Sequence, residues 1–341
     1  MAEKLECQEQ CRKKNTCTCN AGLQYDPKAG MTMEEYCAKL GTGGRQMLIQ
    51  EYQTIVKEEK ERPPEPCVAF NNNPTKNRYH DVRCSDFQRV VLKDSTEKRS
   101  YIHANYVHGY RHTNSFICTQ GPLEESVIDF WRMIWQEKII LIVSLTKLIE
   151  AGKLKCSQYW PVRETKIIKY GPLFVQNVQI RTAKNNTYTR SDLKVTHRKT
   201  NEIRRIAHLL YLDWPDFGTP NSSQTFLTFL NVCNNTQQDL LKDATFWTGC
   251  SMGPPIAVHC SAGVGRSGSL VALDILLEML HDTNKVDVPG VIRLIRKQRN
   301  FAVQKVDQYL FLNLTLLEYA IKNNFVAANK VNLDVFMTEE K

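Results

Sequence analysis

Between Ile256 and Leu280 the chain passes from a buried-strand pattern, Ile256-Ala257-Val258, into the loop His259-Cys260-Ser261-Ala262-Gly263-Val264-Gly265-Arg266-Ser267-Gly268. A strongly apolar stretch at Leu270–Leu280 follows at once. A strand, a loop of small residues and an apolar helix in direct succession require a fold that mixes strands with helices. The rest of the chain agrees. From Phe70 to Tyr211 it reads as short β-branched and aromatic segments, among them residues 139–145 and 173–180, separated by turn residues. After Pro220 helical spacing takes over, at Ser222–Leu241, at 270–280 and in two further stretches to about Asn323. The expected fold is therefore α/β (α+β), one large domain spanning residues 31–325. It is led by two helices from about Met33 to Lys60, interrupted at Gly41-Thr42-Gly43-Gly44 and followed by the proline break at 62–66. Residues 1–30 form a Cys-rich extension expected to be mobile, and 326–341 an expected loose tail.

Charge narrows the partners. The chain has 341 residues, 45 Lys plus Arg against 36 Asp plus Glu and a net charge of +9, which favours anions: nucleic acid, acidic lipid or a phosphorylated substrate. The basic residues are interleaved with acidic ones, which argues against nucleic acid. The longest apolar run, Ile139–Val143, is far short of the roughly 20 residues that span a bilayer. The N-terminal ten residues lack the apolar centre of a secretory signal, so a cytoplasmic place is expected. Most of the twelve cysteines sit singly in apolar surroundings and read as buried reduced thiols. Cys7, Cys11, Cys17, Cys19 and Cys37 crowd the N-terminus, but their spacing without a nearby histidine is no zinc pattern. No metal and no cofactor are expected.

The loop after Val258 carries the chemistry. Its small residues and glycines let consecutive backbone N–H groups turn inward, and the helix that follows aims its positive end at the same point. Arg266 adds a planar fork suited to two oxygens of a phosphate. Cys260 lies in the same field, and a thiolate is itself an anion favoured there. A thiolate attacking phosphorus must expel a phenoxide or alkoxide, so an acid is needed, and Trp214-Pro215-Asp216-Phe217-Gly218 offers one on a loop suited to a lid.

These two segments, together with Lys76-Asn77-Arg78-Tyr79, Thr119-Gln120-Gly121-Pro122-Leu123, Asp129-Phe130-Trp131 and Lys155-Cys156-Ser157-Gln158-Tyr159-Trp160-Pro161, resemble the tyrosine-specific protein tyrosine phosphatases. The likeness runs from about Tyr52 to Tyr319, with the motifs in the family's order. It implies a highly twisted mixed sheet flanked by helices, metal-free hydrolysis of phosphotyrosine through a phosphocysteine, phosphotyrosine-containing proteins as partners, and a monomer. Carried over by position, it makes Cys260 the nucleophile, Arg266 the phosphate clamp and Asp216 the general acid and base. Ser267 would stabilise the departing thiolate. Gln304 would place the hydrolytic water, with Gln308 beside it. Ser261, Ala262, Gly263, Val264 and Gly265 would cradle the phosphate, Tyr79 would stack on the substrate ring, Asp81 would hold the peptide backbone and Phe217 would close the slot. Trp214 would act at the lid hinge, Glu150 would orient Arg266, Lys155 would approach Asp216, and His259 would shape the loop by hydrogen bonding.

Within the family the chain is similar to the megakaryocyte-type non-receptor member, without that member's lipid-binding domain, and to the phosphatases of polydnaviruses. It departs from the family at His103, where asparagine is usual, at Phe301, which is glycine in some members, and in Ala302-Val303-Gln304-Lys305. These departures bear on rate and substrate range. The alternative reading is a catalytically weak or inactive module that binds phosphotyrosine without turning it over.

Overall fold

Alternate residues of the central strands face two separate cores, and that alternation organises the molecule. Val258, Val143, Leu209 and Cys118 join one apolar cluster with the C-terminal helices. Their neighbours Ala257, Ile142, Ile206 and Ile117 join a second on the opposite side. The computed structural model in which this is seen describes residues 25–26, 29–93, 100–215 and 218–331.

In chain order, the strands are β1 (Met31–Thr32), β2 (Arg89–Val91), β3 (Tyr101–Val107), β4 (Phe116–Thr119), β5 (Leu141–Ser144), β6 (Ile149–Glu150), β7 (Lys153–Leu154), β8 (Ile167–Tyr170), β9 (Leu173–Thr182), β10 (Tyr188–His197), β11 (Ile203–Tyr211), β12 (Ile256–His259) and β13 (Lys285–Val286). The helices are α1 (Met33–Glu61), α2 (Val68–Asn71), α3 (Val127–Gln136), α4 (Ser223–Asp243), α5 (Gly265–Thr283), α6 (Val288–Gln298) and α7 (Val306–Lys322). Among the described residues, nine strands form one sheet in the order β2-β3-β4-β12-β5-β11-β10-β9-β8. Its centre, β4-β12-β5-β11, is parallel and its flanks are antiparallel. This is the mixed sheet flanked by helices that the sequence led us to expect. The carboxyl ends of the parallel strands open one crevice, the usual ligand side of such sheets.

The expected leading helices form one span, α1, broken at Gly44, whose φ of 54° is left-handed. Thr32 and Glu35 close its start with a reciprocal capping box. The strand reading of 70–211 omits α3, where Val127, Phe130, Trp131 and Ile134 make a buried helical stripe out of residues that individually favour strands. Residues outside 31–325 also contact the folded part. Tyr25 is buried and stacks on Tyr110 at 6.3 Å, Val326 is buried, and Lys330 pairs with Glu34. Cys7, Cys11, Cys17, Cys19 and the rest of the tail, 332–341, lie outside the described residues.

Candidate active site

Cys260 immediately follows β12, at the crevice end of the sheet, and is 5% exposed. Where the backbone polar groups of its loop go decides what the loop does. The His259 carbonyl accepts from Leu145 N–H at 2.8 Å and the Ser261 carbonyl from Gly121 N–H at 2.9 Å. The Cys260 carbonyl meets His259 Nδ1 at 3.1 Å. Arg299 donates to the Ala262 carbonyl (Nη2, 2.9 Å) and to the Gly263 carbonyl (Nε, 3.1 Å). The Val264 carbonyl accepts from Gly268 and Val303, and the Gly265 carbonyl from Ser269 Oγ. Every carbonyl from His259 to Gly265 is thus hydrogen-bonded, and Gly263 N–H donates to the Cys260 sulfur at 3.2 Å. Gly263 has a φ of +71°, and a Cβ on it would fall 2.0 Å from the Thr119 carbonyl oxygen, so only glycine fits.

Arg266, in the first turn of α5, presents both terminal nitrogens to Glu150, at 2.7 and 2.9 Å. It also donates to the carbonyls of Leu145 and Pro215. Glu150 is 5% exposed and its Oε1 also accepts from Thr146 Oγ1 and Lys147 N–H, so the carboxylate is fixed before it meets the arginine. Glu150 sits on the β6–β7 hairpin, which also delivers Lys155 to the crevice. Tyr79 donates its hydroxyl to Ser261 Oγ at 2.8 Å, and Ser261 Oγ in turn donates to the Lys155 carbonyl. A cleft of about 300 Å³ is lined by Tyr79, Asp81, Glu150, Lys155, Cys260 to Ala262, Gly265, Arg266, Gln304 and Gln308.

Eleven of the residues singled out in the sequence line this one cleft, whereas Trp214, His259, Gly263, Val264 and Ser267 lie behind or beside it. Trp214 is buried beneath it and donates Nε1–H to the Gly218 carbonyl at 3.1 Å, clasping the two ends of the segment between them. Asp216 and Phe217 lie outside the described residues. Ser267 is fully buried, and its hydroxyl has no hydrogen-bond partner among the described residues. Val264 is a buried turn residue that touches no cleft surface. Among the described residues no group of metal-ligating side chains converges anywhere.

Gln304 is presented by a strained loop. Phe301 and Val303 adopt left-handed φ angles of 63° and 55°, which is unusual for a β-branched valine. Arg296 holds that loop through the carbonyls of Ala302 and Val303 while pairing with Glu59, and Glu59 accepts Phe301 N–H. Tyr52, from α1, donates to the Gln304 carbonyl at 2.5 Å.

Three supporting residues, Tyr159, His208 and Arg299, were given no role by the sequence reading. Tyr159 OH bridges His259 Nε2 (2.6 Å) and His208 Nε2 (2.7 Å). With His259 Nδ1–H donating to the Cys260 carbonyl, the order is fixed: His208 donates to Tyr159 and Tyr159 to His259. Burial keeps both rings neutral, lowering His259 to about 4 and His208 to about 3. Arg299 is 1% exposed and no carboxylate meets it among the described residues; Asn105 Oδ1 (2.7 Å) and His103 Nδ1 (3.1 Å) complete its shell. The quoted motifs turn out to brace one another. Lys76 pairs with Asp129, Asn77 accepts from Tyr101 OH, and Arg78 donates to the carbonyls of Gly121 and Pro122. The one external cue was spatial and invisible: each partner lies tens to hundreds of residues away.

Comparison with known proteins agrees with the geometry. Tyrosine-protein phosphatase non-receptor type 9 of Homo sapiens is 35% identical over 305 residues, covering 88% of this chain and 51% of that protein. Its Mus musculus counterpart is 35% identical over 301 residues, 87% of this chain and 50% of that protein. Tyrosine-protein phosphatase Lar of Drosophila melanogaster is 37% identical over 308 residues, 88% of this chain and 14% of that protein. The chain spans about half the length of the non-receptor relatives. Residues 73–318, which include β12, its loop, the Glu150 hairpin and Gln304, match the protein-tyrosine phosphatase family, and the chain belongs to it.

Proposed function

We propose that this chain hydrolyses phosphotyrosine in proteins by two in-line phosphoryl transfers. The observation that carries the reading is that every loop carbonyl from His259 to Gly265 is hydrogen-bonded while Gly263 N–H donates to the Cys260 sulfur, an arrangement that suits an amide nest for an anion. In the first step the Cys260 thiolate forms an S–P bond while the bond from phosphorus to the tyrosine oxygen breaks. Asp216 gives its proton to that oxygen. In the second step a water placed by Gln304, with Gln308 beside it, attacks phosphorus and passes a proton to Asp216; the S–P bond breaks, and the Ser267 hydroxyl, which has no partner among the described residues, donates to the departing thiolate. Arg266, oriented by Glu150, binds two phosphate oxygens throughout. Tyr79 forms the wall of the slot against the substrate ring, Asp81 holds the peptide backbone, Phe217 closes the slot over the ring and Lys155 meets Asp216.

A cytoplasmic role in phosphotyrosine signalling fits the eight described cysteines, none of which is in a disulfide. It also fits the absence, among the described residues, of a helix long and apolar enough to cross a membrane. The test is phosphate release from a phosphotyrosine peptide by the purified chain in the presence of chelator, across pH 5 to 8. Cys260→Ser abolishes release, and Asp216→Ala slows it greatly while peptide binding persists. Peptide binding without release by the unaltered chain would instead establish the binding-module reading. Release from the matching phosphoserine peptide at a similar rate would overturn the tyrosine specificity.

A further inference from the structure

His103 is buried on β3 and stands between two functional segments. Its Nδ1 faces Arg299 Nη2 at 3.1 Å, and Arg299 can only donate, so Nδ1 accepts and the ring proton sits on Nε2. That Nε2–H then donates to the Val82 carbonyl at 2.8 Å. Arg299 carries the carbonyls of Ala262 and Gly263 in the phosphate loop, whereas Val82 directly follows Asp81 and lines the same cleft. The backbone of His103 is itself fixed, since its carbonyl accepts from Thr119 Oγ1 at 2.9 Å.

We propose that His103 is a positioning residue that locks the phosphate loop to the segment carrying Tyr79 and Asp81, so that the anion nest and the substrate-reading wall keep one spacing. The inference rests on the phosphatase reading for its kinetic consequences only. Both ring nitrogens are committed, to different segments, which makes the imidazole a two-ended strut. Burial and the facing Arg299 cation keep the ring neutral, the form in which it can both accept and donate. An asparagine here places an oxygen near the Nδ1 position and still accepts from Arg299. No atom of asparagine reaches as far from the backbone as Nε2, so the tie to Val82 is cut. Leucine cuts both ties.

The experiment compares wild type, His103→Asn and His103→Leu in the full chain by backbone hydrogen exchange and by steady-state kinetics on a phosphotyrosine peptide and on phenyl phosphate. His103→Asn speeds exchange across residues 78–84 and leaves 260–266 protected. It raises the peptide KM by about two- to tenfold, the worth of one neutral hydrogen bond, and moves the phenyl phosphate KM less, because that substrate has no backbone for Asp81 to hold. His103→Leu loosens both segments and lowers kcat as well. The coupling is refuted if His103→Asn leaves exchange at 78–84 unchanged, or if it loosens both segments alike and shifts both substrates equally. Absence of turnover by wild type would defeat the phosphatase reading, while the exchange pattern would still decide the role of His103.

Discussion

Gly263→Ala is the sharpest test of the idea that the phosphate loop is held by backbone geometry. The added Cβ would lie 2.0 Å from the Thr119 carbonyl oxygen and 2.4 Å from its carbon, where contacts under 3.0 Å are essentially never seen. Something must therefore move by about 1 Å. Thr119 cannot be the part that yields, because it is paired with Ala104 on one side and with His259 on the other. The loop yields instead, and the bond from Gly263 N–H to Cys260 Sγ goes with it. Alanine at left-handed φ costs about 1–2 kcal/mol, and a hydrogen bond to a charged group is worth about 1.5–3 kcal/mol. A misplacement of about 1 Å at a reacting centre costs on the order of 100-fold. We expect kcat/KM for a phosphotyrosine peptide to fall by about 100- to 1,000-fold, or about 2.7–4 kcal/mol of transition-state stabilisation. Gly265→Ala is the control. Its Cβ would first meet the amide end of the Gln308 side chain, at 2.8 Å, which is the far end of a flexible side chain rather than backbone. A loss of about tenfold or less is expected there. The reasoning fails if Gly263→Ala keeps kcat/KM within about threefold of wild type, or if Gly265→Ala is the more damaging change.

Glu150→Gln leaves Arg266 without its carboxylate in a place where both side chains are largely buried. We expect kcat/KM to fall about 10- to 100-fold, and an unchanged rate would remove Glu150 as the group that orients Arg266. Tyr159→Phe deprives both His208 and His259 of their shared hydroxyl, and stability should drop by about 1–3 kcal/mol in denaturant unfolding, whereas an unaltered midpoint would show that the chain contributes nothing. The pH dependence of stability follows from His103, His208 and His259, whose folded values lie near 3, 3 and 4 against an ordinary 6.5. Between 6.5 and those values the unfolded chain binds more protons, so stability is complete above 6.5 and is lost as pH falls, by up to about 1.4 kcal/mol per unit for each histidine. Calorimetric unfolding at pH 5 should register proton uptake at these histidines; none would mean that they are charged in the folded state.

What the sequence disclosed and what it hid divide along the length of the chain. Cys260, the glycines and Arg266 were legible because the proposed nucleophile, nest and clamp fall within one short run of sequence whose chemistry can be read without distant partners. The break in α1 was legible for the same reason, as Gly44 sits in its own glycine cluster. Tyr79, Glu150 and Gln304 come from separate loops, and only the resemblance to known phosphatases brought them to the cleft. Arg299, Tyr159 and His208 were not legible at all, since an arginine or a histidine in a sequence gives no sign of being buried. His103 shows the limit from the other side. As a departure from the family it puts the rate in question, yet in place it supplies the acceptor that Arg299 needs and adds a bond to Val82. Only three-dimensional pairing distinguishes a disruption from a replacement. The hidden helix α3 makes the same point about fold, because its aromatic and β-branched residues favour strands until their spacing is weighed.

Three arginines around the loop account for the rigidity of its frame. An amide nest is built by turning N–H groups inward, which forces the matching carbonyls outward into a buried region where each needs a donor. Arg299 supplies two of those donors and Arg78 supports a third indirectly, by holding the Gly121 carbonyl while Gly121 N–H binds Ser261. Arg266 faces the cleft and is balanced by Glu150, so its charge is compensated in the resting protein. Arg299 is not balanced by any described carboxylate, and a buried unpaired cation is costly. Its compensation in the structure comes from the carbonyls of Ala262 and Gly263, Asn105 Oδ1 and His103 Nδ1; under the proposed function, a phosphate on the other side of the same peptide groups would add to it. Under the proposed function, the cation beneath and the phosphate above would polarise those peptides in one direction, carbonyl toward arginine and N–H toward phosphate, so that each would strengthen the other. Under the proposed function, the orientation that would stabilise developing charge in the transition state is fixed by groups that would not touch the substrate, which would leave little reorganisation for the reaction itself.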